Sequence, residues 1–224
     1  MLVGHIAVGL AAKRITPRVS LGTTVFAAVL PDLLWCVFLL AGIEHVSLRP
    51  GRGAVNYLAA SDIAFSHSLL MDVVWGGLMG AAYFLVRRYA RGAWMLFAIV
   101  MSHWLLDFVA HRPDMVLAPG FGWRFGLGLW NSVAATVVVE GGIWLLAIIV
   151  YAVYARVTRP NGAMGVYAFW IGIAFLTLAW YGNIAGPPPS SQRAMAISSL
   201  VFFSCVVAWA YWMNRVRPSC YNSV

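Results

Sequence analysis

Apolar residues fall into six stretches long enough to cross the hydrocarbon core of a bilayer, which takes about 20 helical residues. They are Ser20–Gly42, Ile63–Val86, Gly92–Val109, Leu129–Tyr154, Met164–Ile184 and Met195–Met213. A backbone in lipid has to satisfy its own hydrogen bonds, so these stretches predict helices rather than isolated strands. Ahead of them, Leu2–Ala12 is too short to span. It predicts a helix that enters the membrane part-way, with Lys13 and Arg14 anchoring its far end. No basic segment precedes its apolar residues, so no cleavable signal peptide is expected. The expected fold is all-α, a polytopic membrane helical bundle of about six transmembrane helices plus the short N-terminal helix. Residues 1–224 are expected to form one integral membrane domain, with the last two helices in 156–224 added to a functional part in 1–155.

Composition supports the same reading. Hydrophobic residues make up 62% of the chain and charged residues 10%, against roughly 25% charged in soluble domains. So few charges cannot cover the surface of a water-soluble protein of this size. Cys36, Cys205 and Cys220 have no zinc-ribbon or redox spacing, and no disulfide framework is expected. The net charge of +8 would suit nucleic acid if the bases formed a patch, but they lie singly or in small groups between apolar runs. The expected partner is the lipid bilayer, not nucleic acid. The fifteen bases instead set orientation. Ten fall on one side of the spans (Lys13, Arg14, Arg18, Arg87, Arg88, Arg91, Arg156, Arg159, Arg215, Arg217) and five on the other (Arg49, Arg52, Arg112, Arg124, Arg193). Both termini are therefore expected in the cytoplasm, and the loops Glu44–Asp62 and His111–Gly128 outside.

Ionisable side chains within spans are expensive and mark functional sites by default. In Ser102-His103-Trp104-Leu105-Leu106-Asp107, His103 and Asp107 are four residues apart and share a helix face, about 40° from each other. Such an N/O pair suits a divalent metal. It also suits a neutral imidazole satisfied by a carboxylate. One more step reaches His111 at the membrane rim. In Ser66-His67-Ser68 the next acid, Asp72, follows by five residues and turns about 140° away on a continuous helix, so His67 is expected at the site and Asp72 as a structural acid. Pro31 removes a helix hydrogen bond, leaves the Ala27 carbonyl without its donor and opens a polar niche at Asp32; a simple bend with Asp32 paired to an arginine is the other reading. With Lys13 at the interface, a rise of 1.5 Å per residue carries His5 roughly 12 Å inward, to the depth of Asp32. Glu140, mid-span beside Gly141 and Gly142, is a further ligand, a general base or a structural acceptor.

The order His5, Pro31-Asp32, Ser66-His67-Ser68, Ser102-His103-x-x-x-Asp107 and His111-Arg112-Pro113-Asp114 resembles the YdjM-type family of bacterial membrane-bound proteins, whose members are described as metal-dependent hydrolases. Gly4-His5, Ala11-Ala12-Lys13-Arg14 and Gly128-Leu129-Trp130-Asn131 add to the resemblance, which covers about residues 1–155. It implies His5, Asp32, His67, His103 and Asp107 as metal-site residues and an inner-membrane location.

Three imidazoles and two carboxylates without a thiolate point to Zn²⁺ or Mn²⁺, as one ion or two. The expected function is hydrolysis of an ester or phosphoester of a lipid or lipid-linked substrate by a metal-activated water. Glu140 or His111 would move the proton, and Arg112 and Arg124 would hold an anionic group of the substrate. The competing reading is a small transporter or proton relay using the same buried groups.

Overall fold

The computed structural model describes residues 1–48, 55, 58–154 and 162–216. Its helices follow the apolar stretches. The short first helix is α1 (Leu2–Ile15), and the first long stretch divides into α2 (Leu21–Ala28) and α3 (Leu30–Ala41). A two-stranded hairpin, β1 (His45–Leu48) and β2 (Leu58–Asp62), leads to α4 (Ala64–His67), α5 (Leu69–Arg87) and α6 (Ala90–Ala110). A second small hairpin, β3 (Met115–Val116) with β4 (Arg124–Phe125), and a single 3₁₀ turn at Leu129–Asn131 precede α7 (Val133–Tyr154), α8 (Gly162–Ala185) and α9 (Gln192–Val216). Among the described residues, five helices are long and apolar enough to cross a membrane, and α2 with α3 makes a bent sixth. Arg49, Arg52, Arg156, Arg159, Arg217 and Cys220 lie outside the described residues.

The polarity of the molecule is the reverse of a soluble globule. Val86, Trp94, Val138 and Leu178 are each about 70% exposed or more, whereas His5, His103, Asp72, Asp107 and Glu140 are at most 2% exposed. Lipid is as apolar as leucine, so burying apolar area does not drive these helices together, and close packing and polar contacts must do so. α5 meets α6 through Gly76 and Gly80, where an added Cβ would stand 3.1 Å from the Phe97 ring and 3.0 Å from the Ala93 carbonyl oxygen. α1 is the central element, packed against α2, α6 and α7, and α9 packs along α2 and α3.

Two spans expected to be continuous are broken. The first bends by 53° at Val29, two residues before Pro31, because Pro31 occupies the first turn of α3, where its missing N–H removes no helix bond. The second breaks at Ser68, whose backbone is extended (φ −100°, ψ 151°) and whose hydroxyl caps α5 by accepting the Met71 N–H at 3.4 Å. The connections fall at two ends. At the basic end, Arg18, Arg87, Arg88 and Arg215 gather where the Leu21 N–H meets Asn214 Oδ1 at 3.1 Å. At the loop end lie both hairpins and the α8–α9 connection, tied by the Val46 N–H to Gln192 Oε1 at 2.9 Å. Lys13, expected as an interface anchor, is 3% exposed and donates to the Pro17 and Val19 carbonyls at 2.8 and 2.6 Å, closing the α1–α2 turn. Met1 is buried inside the bundle, so the residues of α1 that reach the basic end are those around Arg14, not the amino terminus.

Candidate functional site

Four elements converge on one buried polar cluster near the loop end. α1 brings His5, the first turn of α3 brings Asp32, the last residue of α4 brings His67, and α6 brings His103 and Asp107. His103 Nε2 lies 3.4 Å from His67 Nε2 and 3.4 Å from Asp107 Oδ2. His67 Nε2 is 3.8 Å from Asp107 Oδ2 and 3.7 Å from Asp32 Oδ1, and His103 Nε2 is 3.9 Å from Asp32 Oδ1. Two ligands each about 2.1 Å from a tetrahedral ion stand about 3.4 Å apart, so these separations are close to those around one metal ion.

The His67 and His103 imidazoles are each oriented by a partner outside the cluster. The bend at Val29 exposes the Ala28 carbonyl, one residue beyond the carbonyl expected from the proline alone, and His103 Nδ1 donates to it at 3.0 Å. Behind His67, Glu44 Oε1 accepts the Phe65 and Ser66 N–H groups at 2.8 and 2.7 Å, and Oε2 accepts the Ser66 hydroxyl at 2.6 Å. Since the Ser66 proton is committed to Glu44, His67 Nδ1 donates to Ser66 Oγ at 2.7 Å. Burial pushes the Glu44 carboxyl up from its ordinary range, and the hydrogen bonds from Ser66 and Phe65 pull it back. With both Nδ1 atoms engaged as donors, the Nε2 atoms of the neutral rings present lone pairs to each other. Opposed lone pairs at 3.4 Å repel unless a proton or a metal ion lies between them.

Asp107 is the hub. Its Oδ2 faces His67, His103 and His111, and its Oδ1 faces His5 Nε2 at 3.1 Å and accepts from the Met1 amine, which is also 2.8 Å from His5 Nε2. The His5 ring stacks on His103 with centroids 3.6 Å apart. Two metal-competent groups result, His5–His103–Asp107 and Asp32–His67–His103, which share His103. His5 Nδ1 and Asp32 Oδ2 are buried without a partner, as is the indole N–H of Trp35 beside them. Asp32 Oδ2 in particular has capacity for a cation.

The other anticipated residues are placed as follows. His111 Nδ1 donates to Asp114 Oδ1 at 2.9 Å, its ring lies against Trp130, and its Nε2 is 3.9 Å from Asp107 Oδ2. Glu140 Oε1 accepts the Gly4 N–H at 3.2 Å and holds the start of α1, outside both groups. Of its two neighbouring glycines, Gly141 admits the Trp180 ring, which would stand 3.0 Å from an added Cβ, and Gly142 faces open space. Arg112 donates to Asn131 Oδ1 at 2.9 Å and Arg124 to the Asp114 carbonyl at 3.3 Å, so both brace the His111 loop. Asp72 receives the Trp104 N–H at 3.1 Å, fixing the turn of α6 that carries His103, a structural part as expected although the helix before it is broken. The sequence offered no sign of Glu44, an acid in a loop that becomes fully buried; Ser66 stood in a visible His motif, but its link to Glu44 did not.

A cavity of about 340 Å³ reaches the cluster. Asp32, Trp35, His67, Asp107, His111 and Trp130 line one side, and Asn183, Met195, Ser199 and Phe203 of α8 and α9 line the other. Neither Arg112, Arg124 nor Glu140 is among its lining residues. The YdjM inner membrane protein family is matched over residues 1–186, which hold every residue of the cluster. The chain belongs to this family. No curated protein and no solved structure matches it. The YdjM match ends before α9, although α9 forms part of the cavity wall.

The relay from Glu44 can be tested directly. Ser66→Ala removes the acceptor of the His67 Nδ1 proton and leaves the ring free to turn. Metal affinity in titrations of the purified protein is expected to fall about 10–100-fold, the usual effect of losing the partner that orients a ligating histidine. Unchanged affinity would separate Ser66 from the site.

Proposed function

We propose that the protein is a membrane-embedded metal-dependent hydrolase acting on an ester or phosphoester of a lipid or lipid-linked molecule. The observation that carries this reading is the facing pair of Nε2 atoms of His67 and His103, flanked by Asp32 and Asp107 at ligand-like separations. His67, His103, Asp32 and Asp107 would hold a divalent ion, Zn²⁺ or Mn²⁺ by the mixture of nitrogen and oxygen donors. His103 Nε2 has one lone pair and serves one ion; His5 and Asp107 would contribute to holding a second. When bound, such an ion lowers the pKa of a water and polarises the scissile group.

The chain's own residues supply the rest. His111, held by Asp114 with Nε2 turned toward Asp107, is the proton acceptor. It has the better claim over Glu140, whose carboxylate is engaged with α1 and does not line the cavity. The free Trp35 indole N–H is a donor for a carbonyl or phosphoryl oxygen of the substrate. Apolar Phe203 and Met195 share the cavity with these polar groups, and the loop-end position suits the junction of a lipid headgroup and its chains. The bases crowd the opposite end, which the positive-inside rule assigns to the bacterial cytoplasm, so the cavity would face outward. A transmembrane relay is less favoured: all seven carboxylates and five histidines belong to the loop-end half or its loops, leaving no stepping stones toward the basic end.

The test is metal analysis of detergent-purified protein, followed by assay against phospholipids and lipid-linked esters in mixed micelles. Stoichiometric Zn or Mn, with hydrolysis that is lost on chelation and restored by metal, is expected. A metal-free, monodisperse protein overturns the proposal, as does a metal-loaded one that only dissipates a proton gradient in vesicles.

A further inference from the structure

A second cavity, of about 760 Å³, lies at the basic end between α2, α5 and the α5–α6 turn, far from the His/Asp cluster. Three arginines line it, Arg18, Arg87 and Arg88, all with exposed side chains. They are partly pre-positioned. The Arg18 guanidinium carbon is 5.7 Å from the centre of the Tyr89 ring, and that of Arg88 is 6.0 Å from the centre of the Phe84 ring. Arg88 is the only non-glycine residue with a positive φ (50°) among those described, at the end of α5. Glycine or asparagine is usual at such a position, so an arginine there is held against its backbone preference.

Among the described residues, none of these charges has a carboxylate to neutralise it. Asp32, Asp72, Asp107 and Glu140 lie around the other site, and Glu44, Asp62 and Asp114 belong to its loops. On α5 itself, Asp72 and Arg87 are fifteen residues apart, about 22 Å along the helix. Below the arginines the wall turns apolar at half-buried Met79 and at Ala82 and Val86, which are exposed on α5. A charged upper wall continuous with an apolar lower wall matches a molecule with an anionic head and a hydrocarbon body, and guanidinium groups pair with phosphate oxygens in forked geometry.

We propose that this groove binds the headgroup phosphate of an anionic glycerophospholipid, with its glycerol and upper acyl chain against Met79, Ala82 and Val86. A zwitterionic lipid would bring an ammonium group to a place with three positive charges and no acid among the described residues, so the groove selects a net negative headgroup. The site is independent of the hydrolase reading and holds a resident lipid rather than a substrate.

The experiment is native mass spectrometry of the detergent-purified full chain, titrated with dioleoylphosphatidylglycerol or dioleoylphosphatidylcholine. The proteins compared are the wild type, Arg18→Gln, Arg87→Gln, Arg88→Gly and Arg91→Gln. Arg88→Gly suits the left-handed backbone and removes only the side chain, so its effect does not come from misfolding. Arg91 lies at the same end but does not line the groove. The wild type is expected to retain phosphatidylglycerol in preference to phosphatidylcholine, each groove variant to lose about fivefold in affinity for it, and Arg91→Gln to match the wild type. Equal retention of the two lipids, or an equal loss in Arg91→Gln, overturns the proposal. In a further arm, sodium phosphate is added. Phosphatidylglycerol that stays bound supports a lipid site, and displacement by inorganic phosphate overturns it.

Discussion

His103→Ala is expected to leave the purified protein without bound divalent metal. His103 belongs to both metal-competent groups, so its loss dismantles each of them. Its Nε2 stands within 3.4 Å of both His67 Nε2 and Asp107 Oδ2. Deleting a ligand is expected to weaken binding by more than the 10–100-fold typical of removing only a ligand's hydrogen-bond partner. Elemental analysis per mole of protein is the readout, with size-exclusion profile and thermal unfolding as controls, because the substitution also strips the Ala28 carbonyl of its donor. His5→Ala is the comparison. It spares Asp32, His67 and His103 and should still hold one ion. Stoichiometric metal in His103→Ala would show that the cluster is not the binding site.

His111→Gln is expected to separate chemistry from metal binding. The His111 Nε2 sits at 3.9 Å from Asp107 Oδ2, at the rim of the cavity, and its other nitrogen is held by Asp114. A positioned general base contributes about 10²–10⁴-fold, and hydrolysis of the lipid substrate should fall by that factor while metal content stays at the wild-type level. Asp114→Asn, which keeps the ring but weakens its orientation, should give a smaller loss. A variant with undiminished rate would remove His111 from the mechanism, and one that loses its metal would make it a ligand.

Much of this site was visible along the chain because ionisable groups inside apolar stretches have so few explanations. His103 and Asp107 share a helix face by spacing alone, and the structure keeps them 3.4 Å apart. His5, Asp32 and His67 join them through helix packing, at the depth that the rise per residue suggests for His5 and Asp32. Glu140, Arg112 and Arg124 had equally suggestive positions, yet their hydrogen bonds serve the α1 start and the His111 loop. Spacing reports which residues share a face of one helix; it carries no information on which neighbour that face meets.

The sequence by itself determined the all-α membrane class, the approximate spans and the presence of acids and histidines inside them. The reason is that lipid forbids unsatisfied backbone and makes every buried charge conspicuous. Only the tertiary structure decided the breaks at Val29 and Ser68, the committed Nδ1 atoms of His67 and His103, and the Glu44–Ser66 support behind them. Each of these depends on contacts between segments far apart in the chain, such as Glu44 with Ser66 or Ala28 with His103. The chain's local periodicity is silent about such contacts, and it is they that turn five scattered side chains into one site.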